Sequence, residues 1–186
     1  MMREIALNVL DVANNSITAK ATCVKLTICV DTKADRLTVK IEDDGKGMSE
    51  EFVAKVTDPF TTTRTTRKVG LGLPFFKLSA EVTGGSFDIK SQLNKGTSVT
   101  AVYVLSSIDR MPLGDVADVV VALIQADDGV RYILDYSVDD KSFEFDTEQV
   151  KDILGDVPIG SYQVVTFLKE YITSGINNCN GGIKNL

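Results

Sequence analysis

The same order of elements is predicted twice in the first 105 residues: an amphipathic helix followed by two strands. The first helix covers about residues 2–18, and the second opens near residue 70 and runs to about Val82. Alternating apolar and polar residues predict strand pairs at 22–30 with 36–42 and at 87–91 with 97–104, and a short helix is predicted over 49–56. This order favours an α+β fold, a two-layer α/β sandwich with helices on one face of a mixed, mainly antiparallel sheet.

A change in charge near residues 109–114 divides the chain. Residues 1–108 hold 14 Lys and Arg against 12 Asp and Glu, whereas residues 109–186 hold six against 14. We therefore predict one domain over 1–108 and a small acidic α/β C-terminal extension over 109–186, which either covers the open face of the sheet or forms an acidic docking surface. Elements predicted in the extension are helices near 114–126, 147–154 and 161–173, strands at 130–136 and 141–146, and a frayed end over 177–182.

Composition excludes several classes of chemistry. The chain has no histidine, which removes Ser-His-Asp catalysis and histidine-liganded zinc. Its three cysteines are too few and too scattered for a disulfide framework. No apolar stretch approaches the roughly 18 residues of a transmembrane helix, and acidic residues near the N-terminus argue against a signal peptide. We expect a reduced, cytoplasmic protein without membrane insertion, and the acidic second half argues against nucleic acid as a partner.

The first helix carries a stripe of polar side chains. Glu4, Asn8, Asp11 and Asn15 are spaced so that they share one helical face. One interpretation is a solvated polar face, which most helices have and which the helix alone favours. The other interpretation is a row of carboxylates and amides that faces a ligand.

Two glycine-rich segments flank a cationic stretch. Asp43 follows a buried strand, where its carboxylate can accept the amino group of a base, and Gly45 and Gly47 let that base approach the backbone. Gly70-Leu71-Gly72 stands before a helix, whose first N–H groups can bind phosphate. Neither the P-loop pattern GxxxxGK[ST] nor the third glycine of the dinucleotide fingerprint is present.

The cationic stretch lies between these two segments. Arg64, Arg67 and Lys68 occur in a threonine-rich loop with no acidic residue between them. Such a loop is mobile when empty and can close over a polyphosphate. We therefore predict a lid.

Five segments, in this order, resemble the motif boxes of the GHKL superfamily of gyrase-type, chaperone, histidine-kinase and mismatch-repair ATPases. They are Asp11–Thr22 for the N-box, Asp43–Met48 for the first glycine box, Asp58–Thr62 for the histidine-kinase F-box, Gly70–Leu73 for the second glycine box and Lys95–Thr97 for the last. The resemblance covers about residues 1–105, is nearest to the histidine-kinase-like branch, and implies the Bergerat fold.

The resemblance also implies roles for the matching residues. Asn15 should coordinate Mg²⁺, Asp43 should bind adenine, and Thr97 should support the adenine end, with a lid over about residues 61–69. The residues expected to contact ATP are Asn15, Asp43, Gly45, Gly47, Met48, Thr61, Thr62, Arg67, Lys68, Gly70, Leu71, Gly72, Leu73 and Thr97.

The N-box has a second register, centred on Asn8 with Glu4 four residues before it. We prefer Asn15 because it leaves a full helical approach and places the first strand directly after Thr22. In that register Asp11 is the expected general base, although many family members have the longer glutamate there. Glu4 is the alternative base, and Asn8 the alternative metal ligand.

Three hypotheses about function follow. The leading one is a Mg-ATP-binding regulatory module with slow or partner-dependent hydrolysis, acting on an unidentified protein partner; a homodimer is compatible with it. The second is a phosphotransferase, either an anti-sigma-type protein kinase or the catalytic half of a split histidine kinase. Because the sequence has no histidine, we do not expect self-phosphorylation on histidine. The third is a degenerate interaction module, against which the intact Asn15 and Asp43 argue.

Overall fold

The computed structural model describes residues 4–56, 72–183 and 186. Its helices are α1 (Ile5–Thr18), α2 (Glu50–Val56), α3 (Gly72–Glu81), α4 (Val116–Ala126), α5 (Thr147–Leu154) and α6 (Tyr162–Asn180). Its strands are β1 (Cys23–Asp31), β2 (Arg36–Asp43), β3 (Ser86–Gln92), β4 (Gly96–Val104), β5 (Arg131–Val138) and β6 (Lys141–Asp146). The predicted α+β class is confirmed.

The six strands form one sheet in the order β3-β4-β2-β1-β5-β6. β1 and β5 run parallel, and the other four neighbouring pairs are antiparallel. The predicted mixed, mainly antiparallel sheet is therefore confirmed.

The core lies on one side of this sheet. Along β1, Val24, Leu26, Ile28 and Val30 are buried, while the side chains between them are only half-buried. β2 and β5 alternate in the same way. One-sided burial of this kind is typical of a sheet covered by helices on a single face. Among those helices, α1 contacts both α3 and α4.

The acidic extension lengthens the sheet. β5 pairs along β1 from Cys23 to Val30, and α4 packs against α1. The segment between β4 and α4 is fixed as well, because the N–H groups of Ile5 and Ala6 donate to the carbonyls of Pro112 (3.0 Å) and Leu113 (2.8 Å) and so satisfy the start of α1. The suggestion that the extension covers the open sheet face is wrong, whereas the division at residue 108 stays a prediction.

The predicted fraying of residues 177–182 is also wrong, since α6 continues to Asn180. Cys179 is only 3% exposed and packs in the core. The Tyr136 hydroxyl donates to Asn180 Oδ1 at 2.7 Å, and Gly181 ends the helix in the left-handed conformation. None of the helices in the described ranges has the length and apolarity needed to cross a membrane.

Candidate nucleotide-binding site

A cavity of about 220 Å³ opens where α1, α2, the end of β2 and the start of β4 meet. It brings together six residues predicted from the sequence: Asn15, Asp43, Gly47, Met48, Leu73 and Thr97. The rest of the wall is mainly apolar and comes from Val12, Ser16, Thr18, Ala19, Ile41, Phe52, Val56 and Val99. A flat apolar ligand group with a polar edge suits such a wall.

Asp43, the last residue of β2, is held in a defined orientation. The Ser16 hydroxyl donates to Oδ2 at 2.6 Å, and the Gly45 N–H donates to Oδ1 at 2.9 Å. Each carboxylate oxygen therefore keeps a free lone pair. A strong acceptor with spare capacity thus faces a mainly apolar cavity.

The neighbouring Asp44 has a different task. It accepts hydrogen bonds from the Thr22 hydroxyl and from the backbone N–H groups of Thr22 and Cys23. Burial works to raise the pKa of Asp44, but these hydrogen bonds outweigh it and hold that pKa below its usual value. Asp43 lines the cavity and Asp44 does not; Asp44, the first residue after β2, ties the glycine loop (residues 44–48) to the start of β1.

The glycine loop lies tightly against the β3–β4 hairpin. Gly47 has φ of +65°, and a Cβ there would lie 2.0 Å from the carbonyl oxygen of Gln92. The Met48 N–H donates to Ser91 Oγ at 2.8 Å, and the Ser91 hydroxyl lies 2.9 Å from Thr97 Oγ1. Ser91 therefore connects the loop to the predicted adenine-supporting threonine.

Asp11 lies beside the first turn of α3 and outside the cavity wall. A Cβ on Gly72 would approach Asp11 Oδ2 to 2.1 Å, which shows that the carboxylate sits directly against this glycine. Any larger residue at position 72 would displace Asp11. The positive end of the α3 dipole favours a carboxylate at this place.

The polar stripe of α1 divides into separate environments. Asn8 is 1% exposed, so the interpretation as a solvated face is wrong for this residue, and its amide nitrogen and oxygen have no hydrogen-bond partner among the described residues. Glu4 lies against Gly114 at the start of α1. With a rise of roughly 1.5 Å per residue, Glu4 is about 16 Å from Asn15 along the helix axis. Of the stripe, Asn15 alone lines the cavity.

Several predicted ligand contacts lie outside the described residues. These are Thr61, Thr62, Arg67, Lys68, Gly70 and Leu71, together with the F-box segment and the proposed lid. They stay predictions.

Sequence reasoning missed part of the site that the structure does describe. Ser16 was not singled out, although its position next to Asn15 was a usable signal. Phe52 and Val56 reach the cavity from α2, and no sequence motif marked them.

The described residues of the site provide few ligands for a free metal ion. Within the described ranges, no group of three or more His, Cys, Asp or Glu side chains converges. Asn15 lines the cavity and could supply one amide oxygen, and an octahedral Mg²⁺ would need its other ligands from phosphate and water. The residues therefore fit an ion that arrives with a nucleotide.

Comparison with known proteins agrees with this geometry. Residues 2–107 match the family model described as histidine kinase-, DNA gyrase B-, and HSP90-like ATPase. Sporulation kinase D of Bacillus subtilis (strain 168) is 32% identical over 99 residues, which cover 53% of this chain and 19% of that protein. The C4-dicarboxylate transport sensor protein DctB of Pseudomonas aeruginosa is 30% identical over 108 residues, covering 58% and 18%. The chain thus corresponds to about a fifth of these relatives' length.

The fold likeness extends over the whole chain. The Aquifex aeolicus MutL ATPase domain complexed with ADP superimposes with a TM-score of 0.55 at 13% identity, covering 100% of both chains. At this identity the likeness concerns the fold alone. Because the family model matches more than half of the chain, the chain belongs to the histidine kinase-, DNA gyrase B-, and HSP90-like ATPases and contains an ATP-binding domain of that family.

Proposed function

We propose that the chain is a Mg-ATP-binding regulatory module whose hydrolysis is slow or depends on a protein partner. The observation that carries the proposal is the orientation of Asp43, which faces a mainly apolar cavity with free acceptor capacity. Adenine offers a flat apolar ring and an exocyclic amino group that donates hydrogen bonds. Asp43 would accept from that amino group, while Met48 and Val99 would contact the ring.

The triphosphate would extend towards Asn15 and the start of α3. Asn15 would contribute one oxygen to a magnesium ion shared with the phosphates. The ion would offset phosphate charge. The N-terminus of α3 supplies backbone N–H groups and a positive dipole end at the same edge of the cavity. Arg67 and Lys68 of the predicted lid would then pair with the terminal phosphates.

The position of Asp11 supports the proposal of slow hydrolysis. As general base, Asp11 would have to hold a water in line with the terminal phosphate. It is one methylene shorter than glutamate and lies against Gly72, outside the cavity wall. We expect basal turnover well below the roughly 10 per second that is the median for enzymes. A partner that shifts α3 against α1 would move Asp11 and change this rate.

A second candidate function is phosphoryl transfer to a partner protein. The observation that favours it is the kind of relative found, since sporulation kinase D is named as a kinase. The 186 residues contain no histidine, so an acceptor histidine would lie outside them. Labelled ATP distinguishes the two functions: label recovered on a partner indicates a kinase, and label recovered only as free phosphate indicates a switch.

Amide hydrogen exchange tests the switch. Residues 61–69 contain no apolar side chain before Val69, so without ligand they have little to bury. We expect fast exchange of this segment in the free protein and protection with a non-hydrolysable ATP analogue plus Mg²⁺. Residues of β1 serve as the internal control, because they are paired on both sides in either state. Equal exchange of residues 61–69 in both states would remove the switch mechanism.

A further inference from the structure

A second cavity, of about 540 Å³, lies in the acidic extension, well separated in the sheet from the nucleotide cavity. Its floor is the edge strand β6, and its walls are α5 and α6. The side chains that line it are Glu144, Phe145, Asp146, Gln149, Val150, Ile153, Leu154, Gln163, Val164, Phe167, Leu168 and Tyr171. We call this cavity the C-terminal groove.

Large apolar side chains are exposed along both walls of the groove. Ile153 on α5 is 86% exposed, and Phe167 on α6 is 64% exposed. Phe167 also stacks on Tyr171, with ring centroids 6.4 Å apart and an interplanar angle of 14°. Contiguous exposed apolar surface of this kind marks an interaction site more often than a lone exposed residue does.

The shape of the groove suits a helix. On α6 the lining residues Val164, Phe167, Leu168 and Tyr171 recur at helical spacing and form a ridge about 10 Å long. On α5 a second set begins at Gln149 and ends at Leu154. An amphipathic helix of about three turns could place its apolar face between these two ridges.

The charge of the groove selects the kind of helix. Of the described residues, Glu144 and Asp146 line it and no Lys or Arg does; Asp146 is buried and paired with Arg131 at 2.6 Å, so the free negative charge of the lining is that of Glu144. The lysines of α5 and α6 are engaged elsewhere, since Lys151 donates to the carbonyl of Asp128 and Lys169 pairs with Asp118 at 2.5 Å. Residues 131–183 together carry nine Asp and Glu against four Lys and Arg.

These observations support a proposal about a protein partner. The proposal does not depend on nucleotide binding. We propose that the C-terminal groove docks an amphipathic helix of another protein, with apolar residues facing Phe167 and Ile153 and Lys or Arg residues on its flanks. A second copy of this chain is a poor occupant, because each copy carries a net charge of −6 and its own groove region is acidic. Anionic lipid is disfavoured by the same repulsion.

The test uses the full chain without nucleotide and two fluorescent peptides of about 18 residues, long enough to form a helix when bound. Both peptides carry leucine at helical spacing. At all remaining positions one peptide has lysine and the other has glutamate. Fluorescence anisotropy should show binding of the lysine peptide, at least tenfold weaker binding of the glutamate peptide, and weakening with added salt.

Variants locate the binding. Phe167→Ala should weaken lysine-peptide binding at least about tenfold, as truncation of a central anchor does. Ile108→Ala is the matched control, because Ile108 is 97% exposed but lies outside the groove, and it should bind like the unaltered chain. Circular dichroism and thermal unfolding check that both variants are folded.

Several results would overturn the proposal. Equal binding of the two peptides would remove the charge argument, and undiminished binding by folded Phe167→Ala would remove the groove. If sedimentation shows that the unaltered chain is a dimer and that Phe167→Ala is a monomer, the occupant of the groove is a second copy of the chain. Binding to phosphatidylglycerol vesicles that Phe167→Ala abolishes would make a lipid surface the occupant.

Discussion

Replacing Asp43 with alanine should cost most of the affinity for ATP. The carboxylate would give adenine a hydrogen bond from a charged acceptor, and such bonds contribute roughly 1.5–3 kcal/mol. That range corresponds to a loss of about 10- to 150-fold in affinity. The variant also leaves the nearly buried Ser16 hydroxyl and the Gly45 N–H without their acceptor. We therefore expect a second effect, a loss of roughly 1–3 kcal/mol in the free energy of unfolding.

Calorimetry with ATP and Mg²⁺ measures the affinity, and urea unfolding measures the stability. Asp88→Ala is the matched control, because Asp88 is an exposed carboxylate on β3 of the same sheet and pairs only loosely with Lys90, at 3.5 Å. Ser16→Ala separates the orientation of the Asp43 carboxylate from its contact with adenine. This variant keeps the carboxylate and removes one of its two hydrogen-bond donors, so the affinity for ATP should fall less than in Asp43→Ala. A folded Asp43→Ala with ATP affinity within twofold of the unaltered chain would refute the assignment of Asp43 to the base.

Four further variants test the rest of the site. Asn15→Ala should abolish the Mg²⁺ dependence of ATP binding, measured by titration with and without EDTA. Asn8→Leu should leave that dependence intact and raise the free energy of unfolding by roughly 1–3 kcal/mol, because it removes a buried amide without partners among the described residues. Asp11→Asn should lower the hydrolysis rate and leave ATP affinity nearly unchanged, since a base acts on the transition state. Gly72→Ala should reduce turnover by roughly 100-fold, because its Cβ would displace the Asp11 carboxylate.

For each assignment that these variants test, one outcome would contradict it. If Asn8→Leu loses the Mg²⁺ dependence and Asn15→Ala keeps it, the chosen register of the N-box is wrong. If Asp11→Asn hydrolyses ATP at the unaltered rate, Asp11 is not the base, and Glu4→Gln becomes the next variant to measure. If Gly72→Ala keeps its turnover, the contact with Asp11 does not position the carboxylate.

The elements of the fold were predictable wherever the pattern of apolar residues was local. The alternation of Val24, Leu26 and Ile28 predicted β1, and the helical spacing of Ile5, Val9 and Ala13 predicted α1. The pairing of strands across the sheet was harder to predict from the sequence. The parallel pairing of β1 with β5 joins residues more than 100 positions apart, and no turn motif specifies it. The extent of α6 depended on the burial of Cys179 and the Tyr136 contact, which only the tertiary structure provides.

The candidate site divides in the same way. Asp43 and Gly47 could be found because the glycine box is a short motif with a fixed spacing. Ser91 could not, since its link from Met48 to Thr97 depends on the register of the β3–β4 hairpin. The sequence also grouped Asn8 with Asn15 on one helical face, and only packing shows that one is buried and the other lines the cavity.

We propose that Asp43 recognises the amino group of adenine in the cavity between α1 and β2. The most direct measurement is calorimetric titration of the unaltered chain with ATP and with inosine triphosphate, both with Mg²⁺. The two nucleotides share the triphosphate and the ribose, but inosine has a carbonyl where adenine has its amino group. We predict that ATP binds at least tenfold more tightly, because the inosine carbonyl would face a carboxylate without a proton between them. Equal affinity for the two nucleotides would show that Asp43 does not recognise the adenine amino group.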